Sequence, residues 1–418
     1  MKIIRLSACE IFTSDGLPTV ACEIELEDGK RVMSSVPIGI ASSKYEAESF
    51  ADGGDRLWGL GQHGAVQTIE NSLAAEFIGK TPQAVEADLK MIDMDGTSSK
   101  SKLGANAILA VSMAMYRAHA YVEGLELYEL LGHALQAESV SLPFPFFNMV
   151  EGGKHAPNNL TIQEFLVVPV ETASFRESLE VGSLIYHEFG KLLQSKGHHS
   201  TVGREGGYVP FGLSDKEVLD LILEVLVYVK QVYGFTALIA LDVAASTFYD
   251  DQTHQYKLCG EHILAEELVK EYEVLLEQYP ICLIEDGMAE DDWEGWKVLQ
   301  QQLHSKVQLI GDDLFVTHPE RIAQGIESGV VSGSIIKPDQ AGTITEALQA
   351  VRLCKEYDLL TFVSHRSGET CDAFIADFSV GISAGQIKAG GFSRGERMAK
   401  YNRLARIEDE LLAREKSE

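Results

Sequence analysis

Cysteine is sparse in this sequence. The 418 residues contain six, at Cys9, Cys22, Cys259, Cys282, Cys354 and Cys371. None forms a CxxC pair, which excludes a zinc ribbon and a thioredoxin-like redox motif. So few thiols in so long a chain fit a reducing compartment, and the expected location is cytoplasmic. Basic residues are also scarce: 35 Lys and Arg stand against 63 Asp and Glu, a net charge of −28. A duplex-binding surface shows the opposite balance, so no nucleic-acid partner is expected. The same charge argues against an anionic membrane surface and favours small cations such as divalent metals. No uncharged apolar run approaches the ~18 residues of a membrane span. The opening MKIIRLSACEIF is interrupted by Arg5 and Glu10 and does not read as a signal peptide.

What is present is an ordinary globular composition, with 45% hydrophobic and 23% charged residues. At about 150 residues per domain, the length suggests two to three domains and a large core. Residues 1–37 read as strands: Val20, Cys22, Ile24 and Leu26 alternate, and Asp28-Gly29 supplies a hairpin turn. From 62 to 132 the pattern is helical, clearest in AVQTIENSLAAEFIG and LGANAILAVSMAMYRAHAYVEG. An α+β domain over 1–135 follows, with the proline-bearing SLPFPFF as its boundary.

The second half, 140–418, has a rhythm. Short β-rich runs end at or near Asp242, Glu285, Asp312, Lys337, His365 and Lys388, at intervals of 43, 27, 25, 28 and 23 residues. Helical patterns lie between them. An eight-unit β/α barrel uses about 30 residues per unit and keeps its chemistry at the C-terminal strand ends. Buried parallel strands are almost wholly apolar, so packing alone does not explain a polar residue closing six in succession.

Asp242, Glu285 and Asp312 form an acidic trio on neighbouring strand ends, oxygen ligands that suit Mg²⁺ rather than Zn²⁺. Lys337 ends the next strand. Near a divalent ion and Lys388 its ammonium is disfavoured, so it is expected to lose its proton near neutral pH and act as a base. Glu164 and Glu205 are candidate acids on earlier strand ends. His365, Arg366 and Ser367 offer donors suited to phosphate. Asp313 is expected to be structural, Arg394, Glu396 and Arg397 a solvated or subunit-facing helix start, and His198 and His199 exposed.

These stretches, with DGTSSKSKLGANAILAVS, GGKHAPNNLTIQEF, VGREGG, IEDGMAEDDW, IIKPDQAGT, SHRSGETCD and GQIKAGGFSRGERMAKYNRLARIE, resemble the enolase family in order and over nearly the whole chain. The resemblance implies an α/β fold, a C-terminal enolase-type β/α (TIM-like) barrel whose first units are antiparallel, with a smaller N-terminal α+β domain. It implies a Mg²⁺-dependent dehydration of 2-phosphoglycerate to phosphoenolpyruvate in glycolysis, by a homodimer or larger homo-oligomer. It also implies roles. Asp242, Glu285 and Asp312 match the Mg²⁺ ligands. Lys337 matches the base at C2, and Glu205, helped by Glu164, the acid at the C3 hydroxyl. Lys388 matches the grip on the substrate carboxylate, Arg366 and Ser367 that on the phosphate, and His155 and His365 histidines beside the substrate.

The chain departs from the family's pattern near these positions. Ala41 stands where a loop serine helps bind a second Mg²⁺, so that site is expected to be roughly 10- to 100-fold weaker unless Ser42 or Ser43 substitutes. Arg204 replaces an Asp beside Glu205; in contact it would lower the acid's pKa, and in extended backbone it would point away. Glu151 and Asp339 each replace an Asn, and Thr247 replaces a Glu. An alternative reading is a catalytically impaired relative acting as a binding partner or scaffold. A superfamily relative acting on another carboxylate is disfavoured by Arg366, Ser367 and Lys388.

Overall fold

The computed structural model describes residues 1–39, 43–137, 139–258 and 260–416. Ala41 and Ser42, and with them the expectation for a second metal, lie outside the described residues. The N-terminal sheet is an antiparallel meander of β1 (Ile3–Phe12), β2 (Pro18–Leu26) and β3 (Arg31–Ser35). The Asp28-Gly29 turn is present: Lys30 N donates to Asp28 Oδ1 (3.0 Å), and Gly29 takes φ +84°. The helix Ala105–Glu123 covers this sheet. It is buried on nearly every side, as an apolar sequence without a polar face requires, and Gly124 ends it in the left-handed conformation.

The barrel begins with β4 (Phe144–Glu151), β5 (Glu164–Val170) and β6 (Thr236–Asp242). A small three-stranded sheet follows, of β7 (Tyr249–Asp250), β8 (Gln255–Leu258) and β9 (Glu261–Ile263). The barrel then resumes with β10 (Ile281–Glu285), β11 (Gln308–Gly311), β12 (Gly333–Ile336), β13 (Leu360–Ser364) and β14 (Gln386–Lys388). It closes in the order β10-β11-β12-β13-β14-β4-β5-β6. β5 runs antiparallel to both β4 and β6; every other pairing is parallel. The expected reversal at the start of the barrel is therefore one reversed strand. It explains why the sequence rhythm begins only at Asp242.

Inside the barrel, Phe146, Leu166, Ala240, Leu283, Ile310, Ile335 and Phe362 form a buried apolar layer. The rings of Phe146 and Phe362 lie 4.6 Å apart. This packed layer is the floor of the site above it. The N-terminal elements lean on the loop after β13: Ser14 N donates to Glu369 O (2.7 Å), and Arg117 grips Asp372 through two bonds of 2.8 and 2.6 Å.

Candidate active site

Side chains on a strand return to the same face every second residue. Two positions beyond the apolar layer therefore come Asn148, Asp242, Glu285, Asp312, Lys337 and Ser364. On the reversed β5 the same step runs backwards, from Leu166 to Glu164. Glu164 thus starts its strand rather than ending it, a correction to the sequence reading, and sits directly opposite Asp242. Lys388 closes β14 and completes the ring.

The acidic side of the ring is organised around Lys388. Its Nζ donates to Asp242 Oδ2 (3.1 Å) and to both oxygens of Glu285 (2.9 and 2.8 Å), and lies 3.5 Å from Glu164 Oε2. Burial disfavours the ammonium, but these carboxylates prevail and hold its pKa well above the ordinary lysine value. Burial, with the charge of Asp242, raises the Glu285 carboxyl. Asp312 is different. Burial would raise it, but Lys337 and Lys388 hold it below the ordinary value.

Lys337 Nζ is ion-paired with Asp312. Its ammonium is stabilised, since the Asp312 charge outweighs burial. With Asp312 as its partner the amine is held protonated, whereas the expectation of a deprotonated lysine concerns the site with a divalent ion on Asp312. Two amides fix the loop after β11, because Asp312 N and Asp313 N each donate to the Asp286 carboxylate at 2.8 Å. Gln340 Nε2 donates to Asp312 Oδ1 (3.2 Å), and Gln163 Nε2 to Asp242 Oδ2 (3.4 Å). The sequence reading missed Asp286, Gln340 and Gln163. The double acid IEDG was the available signal for the first.

A second cluster faces the first. His155 Nδ1 lies 3.3 Å from Glu164 Oε1 and 3.5 Å from Glu205 Oε2, and His365 Nε2 lies 3.4 Å from Glu205 Oε2. Burial opposes the charge on His155, but the Glu205 and Glu164 carboxylates raise it to about 9. Glu164 is pushed up to about 7 by burial and the charge of Glu205. Burial would also raise Glu205, but His155 and His365 hold it well below the usual range. Arg204 is not the cause. Its side chain is exposed while Glu205 is buried, and both lie in a turn, so Glu205 is in a loop rather than on a strand end. The turn is held from below: Glu151 Oε1 accepts Glu205 N (3.0 Å) and Gly207 N (2.9 Å).

Arg397 overturns its expected solvated or subunit-facing role. It is fully buried and donates to the carbonyls of Arg366 (2.6 Å), Ser367 (2.6 Å) and Arg204 (3.0 Å). Its Nη1 also lies 2.7 Å from His365 Nδ1. A guanidinium only donates, so Nδ1 must accept and the ring hydrogen sits on Nε2, directed at Glu205. Burial lowers the His365 pKa to about 4, so this ring is neutral. Arg366 is buried and bonded to Asp339 Oδ2 (2.7 Å) and Glu46 (3.0 and 3.1 Å). Ser367 and Thr247 line the same pocket. Ser43, a proposed substitute ligand, gives its hydroxyl to Glu290 (2.5 Å). Among the described residues, His198 and His199 belong to no cluster with metal-ligand spacing.

The donor set fits a hard divalent cation. Buried carboxylates crowd one end, and three polar atoms of residues lining the pocket make no hydrogen bond: His155 Nδ1, Gln163 Oε1 and Glu164 Oε2. Asp286, Asp312 and Asp313 bring carboxylate oxygens within 4.8 Å of one another. A closed β/α barrel with one reversed strand, a carboxylate-rich mouth and two lysines facing it has the build of a barrel enzyme whose site suits a divalent cation. The comparisons narrow this class. The family model "Enolase, C-terminal TIM barrel domain" matches residues 139–417, and "Enolase, N-terminal domain" matches 3–131. Enolase 2 of Lactococcus lactis subsp. lactis (strain IL1403) is 43% identical over 413 residues, covering 98% of this chain and 97% of that one. The chain belongs to the enolase family.

Proposed function

We propose that Lys337 removes the C2 proton of 2-phosphoglycerate and that the cluster of Glu205, Glu164 and His155 protonates the departing C3 hydroxyl. The chain is a phosphopyruvate hydratase, and the products of the step are phosphoenolpyruvate and water. Loss of the C2 proton leaves its electron pair delocalised onto the carboxylate, and that pair becomes the C2–C3 double bond as the C3–O bond breaks. The observation that carries this assignment is the presence in one pocket of a lysine on an acidic centre, Lys337 with Asp312, and of a second group in which His155 lies between Glu164 and Glu205.

Asp242, Glu285 and Asp312 would hold Mg²⁺, which when bound would stabilise the negative charge that gathers on the substrate carboxylate. Lys337 accepts a proton only as the neutral amine, so Asp312 must be engaged elsewhere during turnover. Lys388 already carries a firm positive charge and is placed to meet the substrate carboxylate. Arg366 and Ser367 take the phosphoryl group. His365, neutral and directed by Arg397, orients Glu205. We assign residues 1–135 as a capping domain and 140–418 as the catalytic barrel. The assembly is a homodimer or larger homo-oligomer in the glycolytic pathway of the cytoplasm, a setting that the family membership supports. No observation favours a scaffold role.

The test is direct. Purified protein is mixed with 2-phosphoglycerate and Mg²⁺, and the ultraviolet absorbance of phosphoenolpyruvate is followed, with Lys337→Ala as control. A rise that the substitution abolishes is expected. No rise across a wide range of Mg²⁺ overturns the assignment.

A further inference from the structure

Arg366 carries more negative charge than it can neutralise. One terminal nitrogen holds Asp339 at 2.7 Å, and the other holds the Glu46 carboxylate at 3.0 and 3.1 Å. The side chains are 3% exposed for Arg366, 15% for Asp339 and 11% for Glu46, so water screens the trio little. The arginine cannot swing aside toward the N-terminal loop. A Cβ at Gly39 would lie 1.6 Å from Nη2, so the guanidinium is already packed against that backbone.

The two carboxylates differ in freedom. Asp339 sits on the short helix Pro338–Ala341, started by a proline and tied back by Gln340 N to Lys337 O (3.0 Å). Glu46 sits in a segment without regular secondary structure. The segment around Glu46 is itself anchored, with Ala47 N on Gln340 O at 3.0 Å, so the difference lies in the side chains: Glu46 reaches Arg366 on a longer stem that can rotate away from an arriving phosphoryl group, whereas the shorter Asp339 is rooted beside Lys337.

We infer that Asp339 is a specificity-determining residue: a fixed carboxylate on Arg366 that makes the phosphate grip too weak to hold phosphate alone. A ligand must then bring a second anionic group to Lys388, at the end of the neighbouring strand β14, to be retained. The site thereby selects molecules carrying both a phosphoryl group and a carboxylate over inorganic phosphate or a phosphomonoester alone. Asp339 itself touches no reacting atom; it acts through Arg366. The inference rests on the reading of Arg366 as the phosphate grip.

The experiment uses the full chain with Mg²⁺. Inhibition by inorganic phosphate and KM for 2-phosphoglycerate are measured in wild type, Asp339→Asn, Asp339→Glu, Glu46→Gln and Arg366→Gln. Removing one fixed charge within a few ångströms of a phosphate dianion tightens its binding by about 5- to 30-fold. Asp339→Asn is expected to lower the phosphate inhibition constant by that factor and to lower KM by less, because the substrate holds on at two points. Asp339→Glu is expected to restore weak phosphate binding, and Glu46→Gln to tighten it less than Asp339→Asn. If Arg366→Gln leaves phosphate inhibition at the wild-type value, the grip reading fails. If Arg366→Gln abolishes inhibition while Asp339→Asn fails to tighten it, the grip stands and the inference is overturned. Tight phosphate binding by Asp339→Glu also overturns it, because the effect would then not be one of charge.

Discussion

Glu164 and Asp242 face each other across the pairing of β5 with β6, although the first begins its strand and the second ends its own. Only a reversed strand makes this possible. It brings a carboxylate with a pKa of about 7 beside a metal-type acidic centre, with Lys388 within 3.5 Å of both. The acid cluster and the acidic centre therefore share one cation. Loss of that cation exposes both.

Lys388→Met leaves Asp242, Glu285 and Glu164 without their ammonium. Removing one partner of a buried ion pair costs about 3–5 kcal/mol. Urea denaturation in a chelator is expected to show a loss of that size, and Mg²⁺ is expected to restore part of it. An unchanged midpoint in chelator would show that these carboxylates are protonated rather than paired.

Arg397→Met removes donors from three carbonyls and from His365 Nδ1, all but the Arg204 carbonyl in the interior. A stability loss of about 3–5 kcal/mol is expected, together with a fall in turnover. Nitrogen NMR of His365 gives the more specific readout. The Nε2–H tautomer of the wild type should give way to a mixture. If the tautomer is retained, something other than Arg397 selects it.

Asp88 is buried in the N-terminal domain and accepts Thr345 N at 2.9 Å. Burial raises its pKa to about 6, against hydrogen bonds from Thr345 and Ser112 that lower it. The folded protein then binds a proton that the unfolded chain releases near its ordinary value of 3.8. Stability from this site is therefore fully present below the unfolded pKa and lost as pH rises through about 6. Asp88→Asn is expected to stabilise the protein by about 3 kcal/mol at pH 7.5 and hardly at all at pH 3.5. Equal effects at the two pH values would sink this reading.

Lys337→Ala is expected to lower turnover by about 100- to 10,000-fold while the far-ultraviolet circular dichroism stays unchanged, since the side chain packs into a pocket rather than the core. A residual rate within about tenfold of wild type would require a different base.

Some of this was legible in the sequence because it depends only on local order. A strand returns to the same face every two residues, so an apolar residue followed by a polar one at strand ends marks a barrel mouth, and Asp242, Glu285, Asp312, Lys337 and Lys388 stood out for that reason. The Asp28-Gly29 turn and the helix Ala105–Glu123 were legible from turn chemistry and apolar content. The direction of β5 was not, because periodicity is blind to strand sense. The burial of Arg397 was not, because a basic residue at a helix start looks the same whether solvent or three carbonyls await it. The protonation of Lys337 was not legible either, because a pKa follows from the nearest charge, and the pairing of β11 with β12 sets Asp312 beside it. Sequence alone determined which chemical groups this protein carries and how they repeat along the chain. Tertiary structure decided which of them meet, and so which hold protons and which hold charge, because Coulomb energies in a buried site depend on distances that sequence spacing does not contain.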